Sequence, residues 1–303
     1  MTTPQFTILK PLDVTPAMLV STNVPNEAIP AWAPGNYVLK QQCVSDRSIW
    51  EAIMVGNSAA KPAKGDGFWV RVGAVNSWAA LDRQKLRPTR VASGYAKYVF
   101  QPGQVISAFA AINMTEVRQT TVKLIDPEFG IVYDDTRVVG ELPIAADWHA
   151  FLILPWEYGD DTQGFFMDLP SYPNARLEVE FTGTESMEIG AMLFGMARSF
   201  GAGIQWGLEA SLKDYSSKEE DRWGNIEITE GFVADTVDVE PRIYTSEFTQ
   251  LQRFLKSLVA TPALYINVQD QAATNVYALF QDMRIVMSNV KYSDLSIRLQ
   301  SLI

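Results

Sequence analysis

Aromatic side chains crowd into one short stretch near the N-terminus, between Ala31 and Asp82. It holds four of the chain's eight tryptophans, separated by the glycine, proline and asparagine residues that favour turns. A stretch this short has too few residues to build an ordinary aliphatic core. Aromatic rings would therefore have to fill its interior. We therefore predict a small β-module over residues 31–89, called the aromatic module, with strands at residues 37–39, 48–54 and 68–72.

The rings of the aromatic module have two roles open to them. They either pack as the module's core or present flat faces on which sugar rings stack. The candidates for sugar stacking are Trp32, Tyr37, Trp50, Trp69 and Trp78. In a unit this small we expect most of the rings in the core, and one or two exposed rings would suffice for glycan binding.

The segments around the module indicate a mainly β fold. Residues 1–30 contain several prolines and asparagines and are expected to form an arm, with residues 6–9 as its best strand candidate. Residues 90–198 contain short strand candidates separated by turn signals such as Pro102-Gly103, with no good helix between them. This pattern predicts a β-sandwich of the jelly-roll type.

Residues 199–303 combine strand patterns with the one convincing helix, at residues 246–260, and are expected to form a β-rich assembly domain. The helix is predicted from an apolar stripe, and Pro262 ends it. The stripe consists of Phe248, Leu251, Leu255 and Leu258.

A polar segment that includes residues 214–225 precedes this helix, and we expect it to form a long loop or a hairpin with loop ends. Trp206, Tyr215 and Trp223 lie in or beside it. Exposed aromatic side chains are typical of subunit contacts. These three residues are therefore our candidates for an assembly interface.

Charge and composition exclude several classes of function. A formal charge of −10, with no basic patch to offset it, argues against nucleic acid as a partner. The single cysteine, Cys43, excludes an intrachain disulfide and a cysteine-based metal site. The first residues lack a signal-peptide pattern, and the longest apolar stretches are too short to cross a bilayer. We expect synthesis in the cytoplasm and no membrane insertion.

Catalytic residues are sparse. The single histidine, His149, precedes an apolar strand candidate, and no Gly-x-Ser-x-Gly motif accompanies it. The acidic pairs that a glycosidase would need are Asp126 with Glu128, Asp134 with Asp135, and Asp160 with Asp161. All three pairs lie in predicted turns, where carboxylates usually accept hydrogen bonds from nearby backbone amides. Calcium binding at Asp160 and Asp161 is an alternative role for that pair. We predict no enzyme, no cofactor and no metal site.

Two resemblances to known families follow from these residues. The order of Trp32, Tyr37, Trp50 and Trp69 resembles the small chitin- and cellulose-binding modules of secreted hydrolases. More specifically, the segment Gly73-Ala74-Val75-Asn76-Ser77-Trp78-Ala79-Ala80-Leu81-Asp82 is similar to the Gly-Ala-Thr-Asn-x-Trp-x-Met-Phe-Asp signature of tail and baseplate proteins of tailed bacteriophages. It departs from that signature at Val75, Ala80 and Leu81.

The resemblance to these tail proteins extends into the C-terminal part. Residues 213–225 are similar to their Lys-Asp-Tyr-Ser-x-Lys-Glu-x-Asp-x-Trp-Gly-Asn loop. Residues 260–263, Ala-Thr-Pro-Ala, are similar to the strand entry that follows their helix. In those proteins the aromatic module precedes a jelly-roll domain.

The resemblance implies a structural component of a virion tail tip or baseplate. It implies assembly with other tail proteins and a homo-oligomer, either a trimer or a ring, around the tail axis. Host-surface polysaccharide is the further partner that it implies. A carbohydrate-binding adhesin without a virion role is the alternative, and a polysaccharide depolymerase acting through the acidic pairs is the third hypothesis.

Overall fold

The computed structural model describes residues 6–82, 87–139, 163–201, 203–204, 209–214, 216–220, 226–229, 233–267, 275–287 and 289–301. Most of these residues lie in antiparallel strands, so the prediction of a mainly β fold is confirmed. None of the helices in these ranges is long and apolar enough to cross a membrane.

The first eleven strands are β1 (Phe6–Pro11), β2 (Leu19–Thr22), β3 (Gly35–Tyr37), β4 (Gln42–Ser45), β5 (Ser48–Ala52), β6 (Gly56–Ser58), β7 (Trp69–Ala74), β8 (Thr89–Val91), β9 (Tyr95–Phe100), β10 (Ala108–Asp126) and β11 (Gly130–Val138). The others are β12 (Gly164–Phe166), β13 (Arg176–Phe200), β14 (Gly203–Ile204), β15 (Glu209–Asp214), β16 (Ser217–Glu220), β17 (Ile226–Thr229), β18 (Val233–Val239), β19 (Pro241–Tyr244), β20 (Ala263–Ile266), β21 (Val276–Val286) and β22 (Tyr292–Ser301). The helical elements are α1 (Asn76–Ala79), a 3₁₀ turn (Thr245–Glu247) and α2 (Phe248–Lys256).

One large antiparallel sheet runs in the order β11-β10-β13-β1-β20-β21-β22-β18-β15. Its centre is β13, a strand of 25 residues that pairs with β10 along one edge. The other edge of β13 is shared in succession by β9, β8 and β1. The long strand therefore connects the middle of the chain to the N-terminal strand and, through it, to the C-terminal strands.

Both faces of β13 are covered near its C-terminal end. Met192 and Phe194 enter the larger apolar cluster, which we call the sandwich core. Ala191 and Leu193 enter a second cluster on the opposite face, which we call the middle core. The fold is thus sandwich-like, as predicted. The jelly-roll connectivity stays a prediction, because residues 140–162 lie outside the described ranges.

The N-terminal strand lies inside the large sheet. β1 pairs with β13 on one side and β20 on the other, so that Ile8 faces both Arg198 and Tyr265. Its Phe6 and Ile8 side chains enter the apolar cluster beneath α2, the helix-side core, whereas Leu9 enters the middle core. The strand predicted at residues 6–9 is confirmed, and its side chains stabilise two cores.

β1 approaches β13 closely at Gly195. A Cβ atom on Gly195 would lie 2.1 Å from the Lys10 carbonyl oxygen, so a larger residue would push the two strands apart. On the side of α2, Lys10 Nζ donates a hydrogen bond to the Ser257 carbonyl oxygen at 3.1 Å. The first strand therefore binds segments that are far apart in the sequence.

Some strand boundaries differ from the sequence-based expectation. The sequence pattern predicts separate strands at residues 104–113 and 117–125, but residues 108–126 form the single strand β10. It also predicts separate strands at residues 177–181 and 186–198, and both lie within β13. A register shift in the pairing with β13 absorbs Glu116, whose φ is 58°, whereas the register continues unchanged across Asn113, whose φ is 54°. The residues between the candidates thus bend a continuous strand and do not end it.

The predicted helix at residues 246–260 is shorter than expected. It begins with the 3₁₀ turn, and its α-helical part ends at Lys256. The chain turns away at Ala260, which has a φ of 56°. Leu251, Leu255 and Leu258 are buried in the helix-side core, as the apolar stripe predicts.

Tyr98 gives the fold a measurable pH dependence. Burial in the sandwich core raises the pKa of its hydroxyl to about 12, although the nearby Thr22 and Thr89 lower it. Between pH 10 and 12 the unfolded state releases this proton and the folded state retains it. The free energy of unfolding should therefore fall as the pH rises, by about 1.4 kcal/mol at pH 11 from this residue. Urea unfolding at pH 9 and pH 11 measures the fall, and an undiminished fall in Tyr98→Phe would contradict the assignment.

Candidate functional site

The aromatic module consists of two small sheets. β3 pairs with β6, and β4, β5 and β7 form the second sheet. The β4–β5 hairpin turns at Asp46 and Arg47, whose φ values of 48° and 60° are those of a tight two-residue hairpin turn. Each of the three strands predicted for the module overlaps an observed strand, namely β3, β5 or β7.

Three of the predicted sugar-stacking residues form the interior of the module. Tyr37, Trp50 and Trp69 are only 7%, 8% and 4% exposed. The Tyr37 and Trp69 rings meet edge to face with centroids 4.7 Å apart. Trp69 Nε1 donates a hydrogen bond to Ser58 Oγ at 3.1 Å, and Trp50 Nε1 donates one to the Ser45 carbonyl oxygen at 3.3 Å. These rings stabilise the module, and little of their faces is accessible.

The other two predicted stacking residues are half-buried and lie apart. Trp32 packs against the edge of the module's interior, where its backbone N–H donates a hydrogen bond to the Val44 carbonyl oxygen at 2.9 Å. Trp78 packs against the sandwich core. The Arg47 guanidinium lies 4.7 Å from the centroid of the Trp78 ring. Among the predicted stacking residues of the module's cluster, Trp32 is thus the one that is only partly buried.

Residues 73–82, which resemble the phage signature, form the joint between the aromatic module and the sandwich. At its centre is Asn76, whose Nδ2 donates hydrogen bonds to the carbonyl oxygens of Pro25 and Arg90 at 2.9 and 2.8 Å. Its Oδ1 accepts a hydrogen bond from the Arg90 backbone N–H at 2.8 Å. Its own backbone N–H donates to Glu27 Oε2 at 2.9 Å. This side chain therefore links α1, which follows β7, to the arm and to β8.

Further contacts extend the joint into the sandwich. The buried Thr89 hydroxyl donates to the Asn76 carbonyl oxygen at 2.8 Å and accepts from the Ala80 N–H at 3.0 Å. The Ala80 carbonyl oxygen accepts a hydrogen bond from the Met192 N–H of β13 at 2.7 Å. A backbone group of the signature is thus bonded directly to the central strand of the sheet.

A cleft of about 170 Å³ lies beside the joint. It is lined by the apolar residues Ala74, Ala79 and Pro88 and by the polar residues Glu27, Asn76, Arg87 and Arg90. The acidic Glu27 opposes the two arginines, and Arg90 Nε also donates to Glu188 Oε1 at 2.9 Å. The cleft therefore does not present a single sign of charge to a ligand.

The sequence did not reveal an exposed group of aliphatic side chains at one end of the module, which we call the aliphatic rim. It consists of Val38, Leu39, Ile53, Met54 and Val55. The first two lie in the β3–β4 connection and the others in the β5–β6 connection. The run Ile53-Met54-Val55 was a usable signal, but its apolar character made it resemble the end of a buried strand.

The acidic pairs are used as turn and surface residues where the structure describes them. Asp126 Oδ1 accepts hydrogen bonds from the backbone N–H groups of Glu128 and Phe129 at 2.9 and 3.2 Å, which is the turn role predicted for such residues. The turn predicted at Asp134 and Asp135 is wrong, because both residues lie within β11 and pair with β10. Asp134 forms an ion pair with Lys123 at 3.4 Å and Asp135 with Arg137 at 3.0 Å. The described ranges contain no cluster of three metal-binding side chains.

Several predicted residues lie outside the described ranges. They are the candidate catalytic or calcium-binding residues His149, Asp160 and Asp161, and the candidate interface residues Trp206, Tyr215 and Trp223. Their predicted roles stay predictions.

No protein-family model matches this sequence, and a search of curated proteins gives no match.

Replacing Asn76 with alanine should loosen the joint. The change removes three hydrogen bonds and leaves two carbonyl oxygens and one N–H of the backbone without these partners, which should cost about 2–4 kcal/mol. Urea unfolding measures the loss, and hydrogen exchange should show it first in residues 73–91. The matched control is Asn57→Ala, because Asn57 is exposed on β6 and should change stability by less than about 0.5 kcal/mol. Equal stabilities of the two variants would contradict the role of Asn76.

Proposed function

We propose that this protein is a structural component of a bacteriophage tail tip or baseplate. In this role it assembles with copies of itself and with other tail proteins in the virion. The observation that supports the proposal most is the joint, because the residues that match the tail-protein signature are those that hold the aromatic module on the sandwich. The shared residue types thus have a physical reason to occur together.

The roles of individual signature residues support the same proposal. Asn76 bonds to the arm and to β8, and Trp78 packs on the sandwich core with Arg47 over its ring. A module fixed at so many points keeps one orientation relative to the sandwich. A virion component needs such fixed geometry, because its neighbours dock on several of its surfaces at once.

A genetic experiment tests the virion role. Deleting the gene from the viral genome should produce particles that have filled heads and lack functional tail tips. The wild-type protein supplied in trans should restore infectivity, and immunogold labelling should place it at the tail tip of complete particles. Infectious particles that lack the protein would overturn the proposal.

Contact with host-surface glycans is a second candidate function, and Trp32 is the residue that favours it. Its ring is half-buried, whereas Tyr37, Trp50 and Trp69 are enclosed in the module. A flat indole face at the module surface is a suitable platform for the apolar face of a sugar ring. This contact would serve either the virion or, in the alternative reading, an adhesin without a virion role.

Replacing Trp32 with alanine should reduce glycan retention at least about fivefold if this ring binds sugar, because one stacking contact on an aromatic ring contributes about 1–3 kcal/mol. A bacterial glycan array, together with purified lipopolysaccharide and teichoic acid, measures the retention. Val20→Ala serves as the control, because Val20 is exposed on β2 outside the module. Hydrogen exchange in residues 31–75 verifies that both variants remain folded. Unchanged retention in folded Trp32→Ala would remove this ring as a glycan contact.

A further inference from the structure

The aliphatic rim is a continuous exposed surface. Its five side chains are between 48% and 72% exposed. Tyr37 pairs with Gly56, and the Lys40 N–H donates a hydrogen bond to the Ala52 carbonyl oxygen at 2.8 Å, so the two rim connections lie side by side. Exposed aliphatic clusters of this kind mark protein contacts, whereas sugars prefer flat aromatic faces.

Charge divides the chain into two unequal parts. Residues 31–89 contain eight basic and four acidic side chains, a formal charge of +4, although the whole chain carries −10. The remainder therefore carries −14. Lys40 lies within the rim connection itself and is exposed. An acidic protein surface with an apolar centre would complement both the positive charge and the apolar side chains of the rim.

The tip of the β10–β11 hairpin has these properties. Phe129 and Ile131 flank Gly130 there and are 66% and 61% exposed. The two hydrogen bonds to Asp126 fix the turn, and Gly130 has a φ of 74°, which favours glycine. The neighbouring Glu128 is exposed and adds negative charge beside the apolar pair.

We propose that the aliphatic rim of one copy of this chain docks on the β10–β11 hairpin tip of a second copy. Contacts between two rims or between two hairpin tips would bring like charges together, whereas a rim and a hairpin tip attract each other. The two surfaces differ, so the contact is heterologous and builds a ring, or a filament if the rotation does not close. This contact is a detail of the self-assembly proposed above and rests on it.

A mixing experiment distinguishes this arrangement from a two-fold dimer. The rim variant carries Leu39→Asp and Val55→Asp, and the hairpin variant carries Phe129→Asp and Ile131→Asp. Mass photometry and sedimentation velocity of the full chain should show oligomers for the wild type and monomers for each variant alone. An equimolar mixture should form heterodimers and nothing larger, because only one intact rim and one intact hairpin tip can meet.

Matched controls and opposite outcomes are available. Val20→Asp with Val286→Asp changes two exposed valines elsewhere and should assemble as the wild type does. Lys40→Glu leaves the apolar residues unchanged and should weaken assembly at least tenfold at low salt, with a smaller effect at high salt. Circular dichroism should show that all variants are folded.

A wild-type chain that stays monomeric would overturn the proposed contact, and so would a hairpin variant that still assembles alone. A monomeric wild-type chain would also count against self-assembly, whereas the presence of the protein in the virion is tested separately by the gene deletion and the immunogold labelling. If the particles contain the protein but the rim and hairpin variants assemble normally, the virion role stands and this contact is rejected.

Discussion

Replacing Leu9 with aspartate is expected to prevent the chain from accumulating in folded form. Leu9 has no exposed surface, faces Ala197 and Leu264 on the two neighbouring strands, and packs in the middle core. An ionised carboxylate there would be buried among apolar side chains, at a cost above about 4 kcal/mol. This is a large share of the stability of an average domain, about 5–15 kcal/mol. Soluble yield and urea unfolding measure the effect.

A graded series separates the charge from the loss of packing. Leu9→Ala should cost about 2–5 kcal/mol and leave a folded chain with a lower unfolding midpoint. Lys10→Gln, at the next position of the same strand, removes only the exposed contacts of the amine with Ser257 and should cost less than about 1 kcal/mol. If Leu9→Asp unfolds at the same urea concentration as Lys10→Gln, β1 is not essential to the sheet.

Replacing Trp69 with alanine should unfold the aromatic module while the sandwich persists. Trp69 packs against Tyr37 and Phe68, with ring centroids at 4.7 and 5.2 Å, and its Nε1 bonds to Ser58. Removing this ring should cost about 3–5 kcal/mol, and few other side chains are present to close the cavity. Hydrogen exchange should rise throughout residues 31–75 and remain at the wild-type level in β10 and β13.

The adjacent residue provides the control for this change. Val70 is 46% exposed on the same strand, and Val70→Ala should alter stability by less than about 1 kcal/mol. Equal exchange in the two variants would show that Trp69 is not the centre of the module. A simultaneous loss of protection in β13 would show instead that the module and the sandwich unfold as one unit.

Local patterns predicted the local parts of the fold. The aromatic spacing gave the strands of the module, and the stripe of Leu251, Leu255 and Leu258 gave the helix, because both patterns depend on neighbouring residues. The position of β1 between β13 and β20 was not predictable, since the residues that it pairs with follow it by more than 180 positions. The sequence pattern also did not predict that β13 is one continuous strand, because the strands that pair with it determine where it begins and ends.

In the candidate site, too, features that depend on local sequence were predicted and features that depend on distant residues were not. Burial of Trp50 and Trp69 follows from the small size of the module, which the sequence revealed. The linking role of Asn76 did not follow, because its partners are backbone groups of Pro25 and Arg90 that only the folded chain brings together. The aliphatic rim was missed because apolar residues in a sequence are normally read as interior ones.

The position of β1 also has a consequence for synthesis. Thr7 pairs with Ser199 and Ile266, so β1 is synthesised well before β13 and β20, the two strands that flank it in the sheet. At about 5–20 residues per second this interval is on the order of tens of seconds, during which Phe6, Ile8 and Leu9 lack their final partners. A nascent chain that stops before residue 263 would lack β20 and leave one edge of β1 open to another polypeptide.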